Sequence, residues 1–150
     1  MRVVVQKVKN ASVKVNNRLV GEIKNGLVVL AGYESSDNSE DISWMVQKII
    51  KMRIFDDSEN KLNFSILDVN GEILLISQFT LHASVKKGNR PSYIKAADSK
   101  KAKQMYDQTI REFETLLKRK ISTGKFGANM EVSLVNNGPV TITIDTKKKE

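Results

Sequence analysis

The sequence predicts a mixed α/β fold of β/β/α layers, in which mostly antiparallel sheets form a roll with two packed helices. Three observations point there. The chain opens as a meander of short alternating runs divided by asparagine-rich turns. Two later runs, Leu27-Val28-Val29-Leu30-Ala31 and Ile73-Leu74-Leu75-Ile76, have no polar face and belong in mid-sheet, covered on both sides. Two further segments carry the apolar periodicity of helices that lie on a sheet. The length of 150 residues suits one domain, 1–150, because two would each bury a marginal core.

Composition narrows the function classes. The chain has no cysteine, which excludes a disulfide framework, a thiolate nucleophile and a cysteine-ligated zinc. A single histidine excludes a His-rich metal centre, while carboxylate-held Mg²⁺ stays open in principle. No metal or cofactor is expected. Met1-Arg2-Val3-Val4-Val5-Gln6 is too short an apolar run for a signal peptide, and no later segment could span a bilayer. A cytoplasmic protein with no membrane partner is therefore expected. The formal charge of +8 favours an anionic partner, nucleic acid first. Part of that charge lies in Lys147-Lys148-Lys149, a tail expected to fray.

In chain order, Val3, Val5 and Val8 mark a first strand, and Val13 and Val15, alternating with Ser12 and Lys14, a second. Asn16-Asn17 makes a hairpin turn into residues 19–23, and Asn25-Gly26 turns again into the run from Leu27. Asn38 or Ser39 caps a first helix, with Glu40 and Asp41 at its positive end. Ile42, Met45, Val46, Ile49 and Ile50 form its apolar stripe. Trp44 falls beside the stripe, to flank the core or meet another subunit. Asp56-Asp57-Ser58-Glu59-Asn60 is a solvated turn, since no other ligand accompanies the paired aspartates. Leu62, Phe64 and Ile66 alternate as a strand that pairs back through Asn70-Gly71 onto the run from Ile73.

Asp98 or Ser99 caps a second helix, with Ala102, Met105, Tyr106, Thr109, Phe113, Leu116 and Leu117 as its buried stripe. Lys118, Arg119 and Lys120 complement the dipole at its end. Ser122-Thr123-Gly124-Lys125-Phe126-Gly127 lacks the residues of a phosphate-binding loop. Met130, Val132 and Leu134 alternate as a strand, and Val140, Ile142 and Ile144 as the last, with Asn136-Asn137-Gly138-Pro139 the turn between them.

Chemistry concentrates in three places. Ser77, Gln78 and Thr80 end a strand buried on both faces, so each finds a buried hydrogen-bond partner or lines a pocket where a ligand supplies one. Lys86, Lys87 and Arg90 flank Gly88, with Tyr93 nearby. Cations interleaved with an aromatic suit a phosphate backbone and an unpaired base, although a solvated basic loop has the same composition. Gly138-Pro139 either starts an edge strand or forms a cis peptide whose carbonyls point in unusual directions.

Three motifs recur together in order: Ser77-Gln78-Phe79-Thr80-Leu81, Lys87-Gly88-Asn89-Arg90-Pro91-Ser92 and Asn137-Gly138-Pro139-Val140-Thr141. With Arg2-Val3-Val4-Val5-Gln6 and Phe126-Gly127-Ala128, the chain resembles the D-aminoacyl-tRNA deacylase family along essentially its whole length. The resemblance implies a homodimeric hydrolase with its active site at the subunit interface. Its substrate would be the ester joining a D-amino acid to the 3′ end of tRNA, or glycine mischarged on alanine tRNA. It further implies catalytic roles for Ser77, Gln78, Phe79 and Thr80, and substrate contacts from Lys86, Lys87, Arg90, Asn137, Phe126 and Met130. A cis Gly138-Pro139 of one subunit would enter the other's site and exclude L side chains.

Ester hydrolysis passes through an oxyanion, for which the N–H groups around Phe79 and Thr80 are candidate donors. The resemblance implies that the tRNA 2′-hydroxyl helps to activate water, so no protein base is needed. On a continued strand, Thr80 and His82 would share a face but sit roughly 7 Å apart, beyond hydrogen-bond reach. Tyrosine commonly fills the position of His82 in the family. Thr80 as nucleophile, in an esterase or a small-molecule hydrolase, and a non-catalytic tRNA-binding module are the alternatives.

Overall fold

The structure, a computed structural model, describes residues 1–149 and belongs to the predicted class. The first strand, β1 (Arg2–Val15), absorbs both expected opening strands into one. Asn16 and Asn17, both at positive φ, turn it into β2 (Arg18–Ile23), and β3 (Gly26–Gly32) follows. After α1 (Ser39–Lys51) come the short strands β4 (Phe55–Asp56) and β5 (Leu62–Phe64). The apolar run forms β6 (Glu72–Ser77). Then α2 (Ser99–Leu117), β7 (Ser122–Thr123) and β8 (Glu131–Asp145) complete the chain.

β1 is the hub. Its first half pairs antiparallel with β3 and its second half with β2, while β8 runs antiparallel along it from Arg2 to Lys14. Breaks in the β1–β8 register around Val8 mark where the strand bends. The bend folds the second half of β1 back over the sheet. Val8, Ala11 and Val13 thus close with Ile23 on one face of Val28, Leu74 and Ile76, which forms the smaller core. The roll nearly closes where β2 meets β7: the Ser122 hydroxyl donates to the Glu22 carbonyl at 2.8 Å.

The helices cover the other face. Ile42, Met45, Val46, Ile49 and Ile50 of α1, with Met105, Tyr106 and Phe113 of α2, pack on Val3, Val5, Leu27, Val29, Ile73 and Leu75. Asn38 caps α1 by accepting from the Glu40 and Asp41 amides, and the Asp41 carboxylate accepts in return from the Asn38 amide, a complete capping box. Asp98 caps α2. Leu116 falls one position off the stripe and is 40% exposed, against the expectation that it is buried.

Three other expectations fail because a local pattern does not record the partner; in residues 62–64 it does not record burial either, since Leu62 and Phe64 are 53% and 40% exposed. Residues 62–64 do not pair back onto the central strand. They pair with β4 in a separate ribbon, while β6 pairs parallel with β3 and β7. Only Asn70 of the Asn-Gly pair has positive φ, and the chain instead turns at residues 65–71, where the Ser65 amide donates to Asp68 and the Gly71 amide to the Ile66 carbonyl. The two expected final strands are one, because the 136–140 segment bulges from β8 instead of reversing it. The basic tail is anchored: Lys147 donates to Asp41 at 2.8 Å, and the Met1 ammonium beside it binds Asp37 and Thr146.

Lys7, 1% exposed, reaches Asp56 at 2.9 Å and ties β1 to the ribbon. No helix among the described residues is long and apolar enough to cross a membrane.

A Cβ on Gly26 would lie 1.9 Å from the Glu72 carbonyl oxygen. Gly26→Ala must therefore push β3 and β6 apart and should lower unfolding free energy by about 3 kcal/mol in urea titration. An unchanged midpoint would contradict this register.

Candidate functional site

β3, β6 and β7 run parallel, and the candidate residues gather at their carboxyl ends, where open sheets place their ligand sites. β6 stops at Ser77. The Gln78 amide makes a last strand bond to Ala31 (2.8 Å), and a 3₁₀ turn, Phe79–His82, replaces the expected strand continuation. The face argument that paired Thr80 with His82 therefore lapses.

Gly32 allows the turn to sit this close. A Cβ there would be 2.7 Å from the Gln78 carbonyl oxygen and 3.2 Å from the His82 ring. Nothing in the sequence singles out that glycine, since the element it accommodates was expected to be something else. Arg2 braces the turn from the far side. Its Nη1 donates to the Leu81 carbonyl (3.2 Å), and its Nε to Asp145 (2.8 Å).

Within the turn, the Gln78 side-chain amide donates to the Thr80 hydroxyl. The Ser77 hydroxyl has no hydrogen-bond partner among the described residues, and the backbone N–H groups of Phe79 and Thr80 donate to no group there either. As the first residues of the 3₁₀ turn, they lack intra-turn acceptors, just as at a helix N-terminus. Phe79 is 57% exposed and Thr80 half-buried, so this end of the turn lies at the surface. The two amides are suited to hold an oxyanion. No carboxylate or imidazole bonds the Thr80 hydroxyl among the described residues, so the turn presents donors without a base. Burial pushes the nearby Tyr106 hydroxyl well above its ordinary value, and it donates to the Leu75 carbonyl at 2.8 Å.

The basic loop stands beside the turn. Ser84 and Ser92 pair through two backbone bonds, leaving Lys86, Lys87, Gly88 and Arg90 exposed at the tip. Gly88 has φ of 66° with open space around it. Tyr93 packs edge-on against Phe79, with ring centroids 5.1 Å apart, which joins loop and turn into one surface. On the other flank the Gly124 amide donates to the Leu75 carbonyl, Phe126 tilts against Tyr106, and Met130 lies over Gly124. Phe126 and Met130 are thus near the strand end.

Gly138 and Pro139 are elsewhere. Their peptide bond is cis, and they protrude, exposed, from the β8 bulge opposite Lys7. Asn136 clamps the bulge: its Oδ1 accepts from the Val140 amide and its Nδ2 donates to Thr141, both at 3.1 Å. Asn137 is half-buried beside it. The pairing places Ser77 level with Ala31, Val3 and Ile144, three strands from β8. Gly138 therefore lies roughly 20 Å from Ser77 measured along the sheet of one chain. One chain brings the turn, the basic loop, Phe126 and Met130 together, and leaves Asn137, Gly138 and Pro139 apart.

A cavity of about 750 Å³ borders the turn at Leu81 and otherwise follows Trp44, Lys48 and Ile142 on the α1–β8 side. Lys149 stands over the Trp44 ring, 4.6 Å from its centroid.

The D-Tyr-tRNA(Tyr) deacylase family profile matches residues 4–145. The D-aminoacyl-tRNA deacylase of Flavobacterium psychrophilum is 53% identical over 150 residues, with 100% of each chain covered. That of Thermosipho africanus is 51% identical over 148 residues, 99% of each. Among solved structures, the c-Myc DNA unwinding element binding protein superposes with a TM-score of 0.92 at 37% identity, over 97% of this chain and 98% of that one. A probable eukaryotic D-amino acid tRNA deacylase, at 18% identity and a TM-score of 0.82 over 95% and 97%, shares the fold.

The Arg2 brace gives a pH test. Burial raises the Asp145 carboxyl, but the Lys147 amide and the Arg2 guanidinium outweigh it and hold the group below its usual range. A depressed native value adds stability above the unfolded value of about 4, lost as pH falls through the native one. Asp145→Asn should therefore be less stable than wild type at pH 7 in urea unfolding, with the gap closing in acid. A gap that does not narrow at all as the pH falls below about 4 would remove the charge from the explanation.

Proposed function

The chain belongs to the D-Tyr-tRNA(Tyr) deacylase family, and from that premise we propose that it is a single-domain D-aminoacyl-tRNA deacylase. It hydrolyses the ester between a D-amino acid, or glycine on alanine tRNA, and the terminal ribose. The observation that carries the reading is the pair of free amides at Phe79 and Thr80, set in a partly exposed turn with no base bonded to the Thr80 hydroxyl. Donors of this kind stabilise the tetrahedral oxyanion. The missing base is consistent with the substrate's own 2′-hydroxyl assisting the attacking water. Lys86, Lys87 and Arg90 hold the phosphates near the 3′ end, and Phe126 and Met130 supply apolar contacts to it.

Chirality is read by the second subunit of a homodimer. Gly138 and Pro139 lie too far from Ser77 in their own chain to touch its substrate, yet they protrude and are exposed. Inserted into the partner's site, their backbone occupies the space an L side chain would need. Exclusion of this kind tolerates many D side chains, where a fitted pocket would not.

A direct assay compares D-tyrosyl-tRNA with L-tyrosyl-tRNA. Wild type should cleave the D ester alone, and Thr80→Ala should keep kcat within about tenfold, because the Thr80 amide survives the change. Loss of all turnover in that variant would make Thr80 the nucleophile. Tight tRNA binding without any hydrolysis would leave a binding module built on the basic loop.

Gly138 has φ of 130°, and a Cβ there would meet Val140 Cγ2 at 2.8 Å. Gly138→Ala should therefore displace the wedge and lower the D/L ratio of kcat/KM by about tenfold or more. Unchanged selectivity in a folded dimer, checked by sedimentation, would remove the wedge from the chiral filter.

A further inference from the structure

His82 is the one histidine of the chain and is 1% exposed, and neither ring nitrogen has a hydrogen-bond partner. A buried orphan donor or acceptor costs about 1–3 kcal/mol, so two on one ring ask for an explanation. The carboxylate beside the ring is that of Glu34, whose Oε2 lies 3.8 Å from Nδ1. That is about 1 Å beyond a hydrogen bond.

Glu34 is otherwise well placed. Its amide is held by Asp37, its Oε1 accepts from Ser36, and its backbone bridges Ala96, where the basic loop returns. The Ala97 amide donates to the Tyr33 carbonyl one residue earlier. His82 closes the 3₁₀ turn, where a cation suits the exposed carbonyl ends. Its ring rests against Gly32, so it is wedged between β3 and the turn. The other charged groups at the turn are Arg2, which holds the Leu81 carbonyl, and its partner Asp145.

We infer that His82 and Glu34 are a positioning pair for the hydrolytic site. The protonated ring draws the Glu34 carboxylate into contact and so fixes the turn that presents the Phe79 and Thr80 amides. One link joins the loop exit to the oxyanion donors. Neither side chain touches substrate. The pair rests on the deacylase reading for its consequence in catalysis, but its geometry can be tested without turnover.

Labelling with ¹⁵N-histidine gives one imidazole to follow across a pH series. In wild type the Phe79 and Thr80 amide resonances should move together with the ring titration. In Glu34→Gln the ring should still titrate while the two amides no longer follow it. With D-tyrosyl-tRNA, wild-type kcat should fall as pH rises through that titration, with KM unchanged. Glu34→Gln should lower kcat about tenfold at the acid end and flatten the profile. His82→Tyr, a neutral donor of similar reach, should recover kcat without the pH dependence.

Amides that ignore the ring titration in wild type, or follow it equally in Glu34→Gln, would overturn the pair. Wild type that shows the coupled titration but no hydrolysis would sustain the pair and sink the deacylase reading.

Discussion

Along one edge β1 pairs with β8, and along the other it serves β3 and then β2. Each residue of such a strand must satisfy partners on both sides, so the bend near Val8 is felt at both edges, and β3 gives way to β2 there. Against β8 the bend is taken up as register breaks. From this follow both cores: straight, β1 would leave Val28, Leu74 and Ile76 facing water, and bent, it buries them. The parallel trio β3, β6 and β7 is then enclosed on both faces, and only its ends are open. The candidate site sits at one of those ends, where such a sheet has unpaired backbone to offer.

The parts of this arrangement that depend on local chemistry are legible in the sequence. The α1 stripe, its asparagine cap, the Asn16-Asn17 turn and the two doubly buried runs all reflect periods of two or 3.6 residues, or residues tolerant of positive φ. What eludes it is set by partners far along the chain. Phe64, exposed like Leu62, pairs with Phe55 and not with the strand that follows it. Val132 and Ile142 belong to separate alternating runs in the sequence, yet one long partner merges their strands. The site shows the same division. Ser77, Gln78 and Thr80 stand out as polar residues ending an apolar run, whereas Gly32, Asn136 and the Arg2 brace are visible only once the 3₁₀ turn and the bulge exist.

Electrostatics sort into two kinds. The cations at the loop tip, Lys86, Lys87 and Arg90, form no ion pair among the described residues, which leaves their field available to a polyanion. Lys7, Arg2 and Lys147 are each paired with an aspartate and serve the fold. The formal charge of +8 therefore overstates the charge dedicated to recognition. Position matters more than sum, since a screened interaction reaches only about 8 Å at physiological ionic strength.

β8 also has an outer edge. Among the described residues it pairs with β1 alone, so 15 residues of strand present a second row of backbone groups to whatever meets them. An unbroken row of that length is a template on which another chain can add itself as a strand, the first step towards aggregation. The bulge divides the row, and Pro139 removes a donor at the break. Each remaining half spans only a few residues, too short to hold an uninvited strand firmly. A segment proposed to discriminate between mirror-image substrates thus also guards the solubility of the protein that carries it.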